Sequence, residues 1–123
     1  MSRVLIVDDS QSILAFLQAV FESEQYEVVT ATNGIDGLAK VHQAWPDVII
    51  TDSVMPGLDG FGFLRALRED PATEAVPVIM LTSADPDDPE YSGLEPRPNA
   101  FVQKSSNVEP LLTEVREALL RRP

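Results

Sequence analysis

Cysteine is absent from this chain, which excludes a disulfide framework and any thiolate metal site. Cations are scarce: 9 Lys and Arg face 20 Asp and Glu, for a formal net charge of −11. Binding to phosphate backbones needs clustered Lys and Arg, so nucleic acid is not expected as a direct partner. No apolar run approaches the length of a membrane span, so no membrane partner is expected either. Asp8 and Asp9 interrupt the N-terminal apolar stretch too early for the core of a signal peptide. Internal repeats and signs of a second domain are also missing. What remains is one domain, residues 1–123, expected to be soluble and cytoplasmic. Its 44% apolar content is ordinary for a globular fold, and 123 residues suit a single modest core.

The chain is organised around Val48-Ile49-Ile50-Thr51-Asp52, a run rich in β-branched residues that ends on one acid and breaks into Met55-Pro56-Gly57. Such a pattern reads as a buried strand whose C-terminal tip presents a carboxylate at the edge of a loop. Arg3-Val4-Leu5-Ile6-Val7 is a second run of this kind and ends on Asp8-Asp9, so two strand tips offer three carboxylates. Pro77-Val78-Ile79-Met80-Leu81 ends on Thr82-Ser83-Ala84, and the shorter Ala100-Phe101-Val102-Gln103 ends on Lys104. The remaining strand, Tyr26 through Ala31, ends on Ala31-Thr32, which fits an edge strand away from any site.

Helical periodicity fills the gaps between strands. A helix capped by Ser10 turns Ile13, Leu14, Leu17, Val20 and Phe21 inward. The next follows an Asn33-Gly34 turn signal, starts at Ile35 with Leu38 and Val41 inside, and ends before Pro46. A third is capped by Asp59 and carries Phe61, Leu64 and Leu67. The last is capped by Asn107, tolerates Pro110 in its first turn, and presents Leu111, Leu112, Val115, Leu119 and Leu120. Near-continuous apolar strands alternating with amphipathic helices mean an α/β fold, a parallel sheet covered on both faces. Ligands of such sheets gather at the carboxyl ends of the strands, where this chain places Asp8, Asp9, Asp52, Thr82 and Lys104.

Three close carboxylates repel one another unless some stay protonated or a cation joins them. All-oxygen ligands favour a hard divalent ion, and Mg2+ is expected, an ion that keeps waters and often completes its shell with phosphate oxygens. A hydroxyl (Thr82) and an ammonium (Lys104) are what a phosphoryl group needs once the metal has met part of its charge. An aspartate can itself be the nucleophile and form an aspartyl-phosphate. The set reads as a phosphoryl-accepting site.

Val7-Asp8-Asp9-Ser10, Asp52 with Met55-Pro56-Gly57 and Asp59-Gly60, Leu81-Thr82-Ser83-Ala84, and Lys104 together resemble the response-regulator receiver domains of two-component signalling, over essentially the whole chain. The resemblance implies a flavodoxin-like, three-layer fold with a five-stranded parallel sheet in the order 2-1-3-4-5. It implies that Asp52 is the phosphoacceptor, that Asp8 and Asp9 serve Mg2+ with Asp52, and that the backbone carbonyl of Val54 is a further ligand. Thr82 would hydrogen-bond the phosphoryl oxygen, Lys104 would pair with it, and Phe101 stands at the position of the family's switch aromatic. The implied donor is a histidine kinase or a histidine phosphotransfer domain, the implied output a changed affinity for a downstream protein target. Such a chain is a signalling switch rather than an enzyme.

Three departures from the family pattern stand out. Ser105 replaces the proline that usually follows the lysine, often in a cis peptide; a non-proline cis bond costs about 2.5–4 kcal/mol, which leaves the isomer open. Asn99-Ala100 replaces the usual Gly-Ala before the fifth strand. Residues 85–98, where receivers place their fourth helix, hold Pro86, Pro89, Pro96 and Pro98, and each interior proline costs a helix about 3 kcal/mol. An irregular, acidic segment is expected there. Duller readings exist for single residues: Asp8 and Asp9 as helix caps, Thr82 as a strand-end hydroxyl, Lys104 as a solvated charge, Phe101 as core. His42 reads as a surface residue, neither ligand nor base. Two rivals for the whole chain are a pseudo-receiver that binds partners without phosphorylation and an aspartate-nucleophile phosphatase. The phosphatase would need a second acid two residues after Asp52, where Val54 stands.

Overall fold

The computed structural model describes residues 1–55, 57–83, 89, 93 and 95–121. Five strands, β1 (Arg3–Val7), β2 (Glu27–Ala31), β3 (Val48–Asp52), β4 (Val78–Thr82) and β5 (Ala100–Gln103), pair in parallel in the order β2-β1-β3-β4-β5. Four described helices connect or flank them: α1 (Gln11–Ser23), α2 (Gly34–Gln43), α3 (Gly60–Glu69) and α4 (Glu109–Arg121). The expected order and layering are therefore present. Among the described residues no helix is long and apolar enough to cross a membrane.

Because successive side chains of a strand point to opposite faces, one sheet feeds two cores. Val4, Ile6, Val48, Ile50, Ile79 and Leu81 meet α1 and α4 on one side. Leu5, Val7, Ile49, Val78 and Met80 meet α2 and α3 on the other. β3 and β4 are buried along their whole length, as their unbroken apolar sequences require.

The helices start where their capping side chains say they should. Ser10 Oγ accepts from the Ile13 N–H at 3.3 Å and Asp59 Oδ1 from the Gly62 N–H at 2.9 Å. Asn33, read as half of a turn, caps α2 in the same way, its Oδ1 accepting from the Asp36 N–H at 2.8 Å. Asn107 Oδ1 accepts from the Glu109 N–H at 3.1 Å, with Val108 between it and the first turn of α4.

Packing corrects the expected helix faces in two places. In α3 the fully buried aromatic is Phe63, while Phe61 lies half-buried at the margin of the same core. In α4, Leu111, Leu112 and Val115 are buried, whereas Leu120 is 85% exposed. His42 is exposed, as expected, with its ring edge-on to Trp45. The segment expected to be irregular, 85–98, lies mostly outside the described residues; its described part at 95–98 forms no helix. Among the described residues the only cis peptide is Glu95–Pro96, so Lys104–Ser105 is trans.

Candidate functional site

Parallel register brings the strand tips into one row. Val7 pairs with Thr51, Asp52 with Leu81 and Thr82 with Gln103, so Asp8, Asp52, Thr82 and Lys104 all fall at the same end of neighbouring strands. Backbone bonds continue the ladder into the loops. The Asp8 N–H donates to Ala31 O at 3.1 Å, Ser53 N–H to Leu81 O at 3.0 Å, and Lys104 N–H to Thr82 O at 2.7 Å.

Within this row the side chains differ sharply in environment. Asp8 is fully buried, Asp52 is 5% exposed and Thr82 is buried, whereas Asp9 faces solvent. One carboxylate oxygen from each of Asp8, Asp9 and Asp52 lies within 4.8 Å of the others. The Lys104 ammonium sits 3.1 Å from Asp52 Oδ1 and 3.3 Å from Asp8 Oδ2. Asp8 Oδ1 is satisfied by the Ser10 N–H at 2.9 Å. Among the described residues Asp8 Oδ2 receives no directed hydrogen bond, only the ion-pair approach of Lys104.

Electrostatics follow from that geometry. Burial raises the pKa of Asp8 most, the Ser10 N–H lowers it, the Asp52 charge raises it again and Lys104 pulls it down; the net shift is upward. For Lys104, burial disfavours the ammonium, but the hydrogen bond to Asp52 and the charges of Asp8 and Asp52 outweigh it, and the pKa is raised. One ammonium cannot neutralise three carboxylates. The under-satisfied Asp8 Oδ2, the buried Asp52 and the exposed Asp9 at the mouth make a hard, all-oxygen donor set compatible with Mg2+.

The other expected site residues are Val54 and Phe101. Val54 follows Asp52 by two residues, is 76% exposed, and has its N–H 3.5 Å from Asp52 Oδ1. Phe101 is half-buried against the α2–α3 core, its ring 6.5 Å from that of Phe61 and 6.0 Å from the Arg97 guanidinium carbon. Sequence reasoning had Ser10 only as a helix cap and so overlooked its backbone N–H, which orients Asp8. Gly60 was also passed over as a positioning residue. A Cβ there would collide with the Asp52 carbonyl oxygen and come within 2.9 Å of Ser53 Cα, so glycine alone lets α3 start against the tip of β3. The Asp59-Gly60 pair was the available signal.

Comparison with known proteins gives a consistent picture. The family model for the response regulator receiver domain matches residues 4–116. Protein PilH of Pseudomonas aeruginosa is 39% identical over 119 residues, covering 97% of this chain and 98% of PilH. Response regulator PleD of Caulobacter vibrioides is 37% identical over 94% of this chain, which spans only 25% of PleD. The DNA-binding dual master transcriptional regulator RpaA of Synechocystis sp. is 37% identical over 99% of this chain and 50% of its own length. Kinship with a DNA-binding regulator removes support from the expectation that nucleic acid is no partner; the acidic charge describes this chain's own surface only. Among solved structures, the chemotaxis protein CheY4 of Vibrio cholerae superposes with a TM-score of 0.88 at 35% identity, over 97% of this chain and 99% of that one. Response regulator TrrA of Thermotoga maritima, in complex with Mg(2+)-BeF, does so with a TM-score of 0.85 at 30% identity, over 97% and 100%.

Proposed function

Because the chain belongs to the response regulator receiver family, we propose that Asp52 accepts a phosphoryl group from a phosphohistidine and that this modification switches a protein–protein interaction. The donor would be a histidine kinase or a histidine phosphotransfer domain, the output a downstream protein target. Asp8, Asp9, Asp52 and the Val54 carbonyl would hold Mg2+. When bound, the metal supplies neutralising charge to the carboxylates and the incoming phosphoryl oxygens.

An Asp52 carboxylate oxygen attacks phosphorus, a P–O bond forms, and the P–N bond breaks with its electron pair leaving on the donor imidazole. Asp8, held by the Ser10 N–H, keeps its second oxygen directed at the site. Lys104 stands 3.1 Å from Asp52 Oδ1, close enough to follow negative charge onto the phosphoryl oxygens. The buried Thr82 hydroxyl would donate a hydrogen bond to one of those oxygens, and Phe101 would answer its displacement. The site asks little covalent chemistry of the protein: catalysis is positioning and charge.

The observation that carries this reading is the Lys104 ammonium shared between the buried Asp52 and Asp8. A strand-end lysine would otherwise be solvated; here it is drawn to two buried carboxylates at the strand tips, where an incoming phosphoryl group would need a cation. The test is incubation with Mg2+ and acetyl phosphate followed by intact mass. A gain of one phosphoryl group in the wild type, lost in Asp52→Asn, is the expected result. A gain that survives Asp52→Asn refutes the assignment, and no gain in the wild type favours the pseudo-receiver.

A further inference from the structure

We propose that Arg68 and Asn99 form a clip that positions Lys104 by pinning the start of β5 to β4 and α3. The inference rests on Lys104 serving the reaction proposed above.

β5 is the strand most in need of such a device. It has four residues, pairs with β4 alone among the described strands, and is only partly buried. Lys104 follows it directly, and Ser105 supplies no ring to stiffen the next peptide. At the far end, Asn99 grips Val78 twice: its N–H donates to Val78 O at 2.8 Å, and its side-chain Oδ1 accepts from Val78 N–H at 2.8 Å. A slip of one residue would lose both bonds and turn every β5 side chain to the opposite face. The same Oδ1 accepts from Arg68 Nη2 at 3.0 Å, while Arg68 Nη1 donates to Val76 O at 2.8 Å. A planar guanidinium offers these two oxygens two nitrogens in a fixed fork, whereas an ammonium is a single point on a flexible stem.

Arg68 lies in the last turn of α3, whose first residue is held to the tip of β3 by the Gly60 N–H to Ser53 O bond at 3.2 Å. α3 is thus a strut running from the phosphoacceptor loop to the clip. β5 returns from the clip to the site, closing through Lys104 N–H to Thr82 O. The two routes meet where the Lys104 ammonium rests between Asp52 and Asp8. Burial lowers the Arg68 guanidinium pKa, so its half-buried place costs desolvation that mere surface decoration would not require.

A double-mutant cycle separates positioning from plain structural support. Phosphorylation by acetyl phosphate with Mg2+ is timed for Arg68→Met and Asn99→Ala, alone and combined with Lys104→Met. Each clip variant should slow the wild type by about tenfold, below the roughly 10²-fold that a 1 Å misplacement can cost. In the Lys104→Met background the same changes should cost less than about twofold, because the group they position is gone. Arg68→Lys, offering one nitrogen where the guanidinium offers two, should recover part of the rate. Equal slowing in both backgrounds, or none in either, overturns the proposal; should Arg68→Met fail to fold, Asn99→Ala carries the same cycle. A second readout needs no phosphodonor: the NMR resonance of the Lys104 ε-carbon should move in both clip variants while that of Lys40 stays. An unmoved Lys104 resonance overturns the proposal even if the chain takes up no phosphoryl group, a result that would separately count against the function.

Discussion

Replacing Lys104 by methionine keeps most of the unbranched side chain and deletes the cation that two carboxylates share. Its ammonium lies 3.1 Å from Asp52 Oδ1 and 3.3 Å from Asp8 Oδ2, distances at which each attraction is about 5 kcal/mol for an effective dielectric near 20. Desolvation and side-chain ordering offset most of that, and the 26% exposure of the lysine side chain trims it further. A loss of about 2–3 kcal/mol in the metal-free protein at pH 7 is therefore expected, at or below the usual range for breaking a buried pair.

The loss should shrink in two circumstances. The first is acid. Asp8 has a folded-state pKa above its ordinary 3.8, so its contribution to stability is full below that value and is lost as pH rises through the folded pKa. Without Lys104 that folded pKa climbs further, so the variant gains more than the wild type as pH falls from 7 toward 4. The second is Mg2+. A divalent ion relieves the carboxylates and no longer faces an ammonium, so the variant should bind it about fivefold more tightly, which returns about 1 kcal/mol at saturation. Urea unfolding at pH 7 and pH 5, each in EDTA and in saturating Mg2+, measures all four values. A deficit that neither acid nor Mg2+ reduces would show that Lys104 does not neutralise this cluster.

Three further predictions come from the same geometry. Asp8→Asn keeps an oxygen for the Ser10 N–H and removes a buried charge, so the metal-free protein should become more stable at pH 7, with a flatter pH dependence in the acid range and much weaker Mg2+ binding by calorimetry. Asp9→Ala deletes an exposed carboxylate: chemical stability should change by less than about 0.5 kcal/mol, while Mg2+ affinity and phosphorylation rate both fall. Gly60→Ala forces a methyl group against the Asp52 carbonyl and should cost about 1–3 kcal/mol in urea unfolding while slowing phosphorylation; full stability there would mean the start of α3 yields freely.

Much of this fold could be read before any coordinates because its signals are local. A β-branched run such as Val48-Ile49-Ile50 needs no distant residue to favour an extended chain. Ser10 and Asp59 reach donors only three residues ahead, so their caps are written in short segments. The faces of helices were less secure. At about 100° per residue, Phe61 and Phe63 flank the Leu64–Leu67 stripe on opposite sides, so the sequence does not say which of them is buried, nor that Leu120 turns away where Leu119 stays partly covered. Asn33-Gly34 has the composition of a turn, yet Asn33 caps α2 through the Asp36 N–H, and Gly34 starts the helix where a Cβ would come within 2.5 Å of the Leu58 carbonyl oxygen.

Of the site, the sequence by itself determined the inventory: three acids, a hydroxyl and a lysine, each at the end of a strand. The tertiary structure alone decided what those groups are to one another. Asp8 and Asp9 are neighbours of the same type, and no local rule says which is buried. Asp8 becomes the buried one because β1 pairs on both sides and its loop is bonded to Ala31 O, while Asp9 lies past the last ladder bond. Lys104 reaches Asp52 and Asp8 from some fifty and a hundred residues away only because β5 and β4 share a register, and Arg68 meets Asn99 for the same reason. Register is a property of the assembled sheet, set by pairings between segments distant in the chain, and composition or periodicity within one segment carries no record of it.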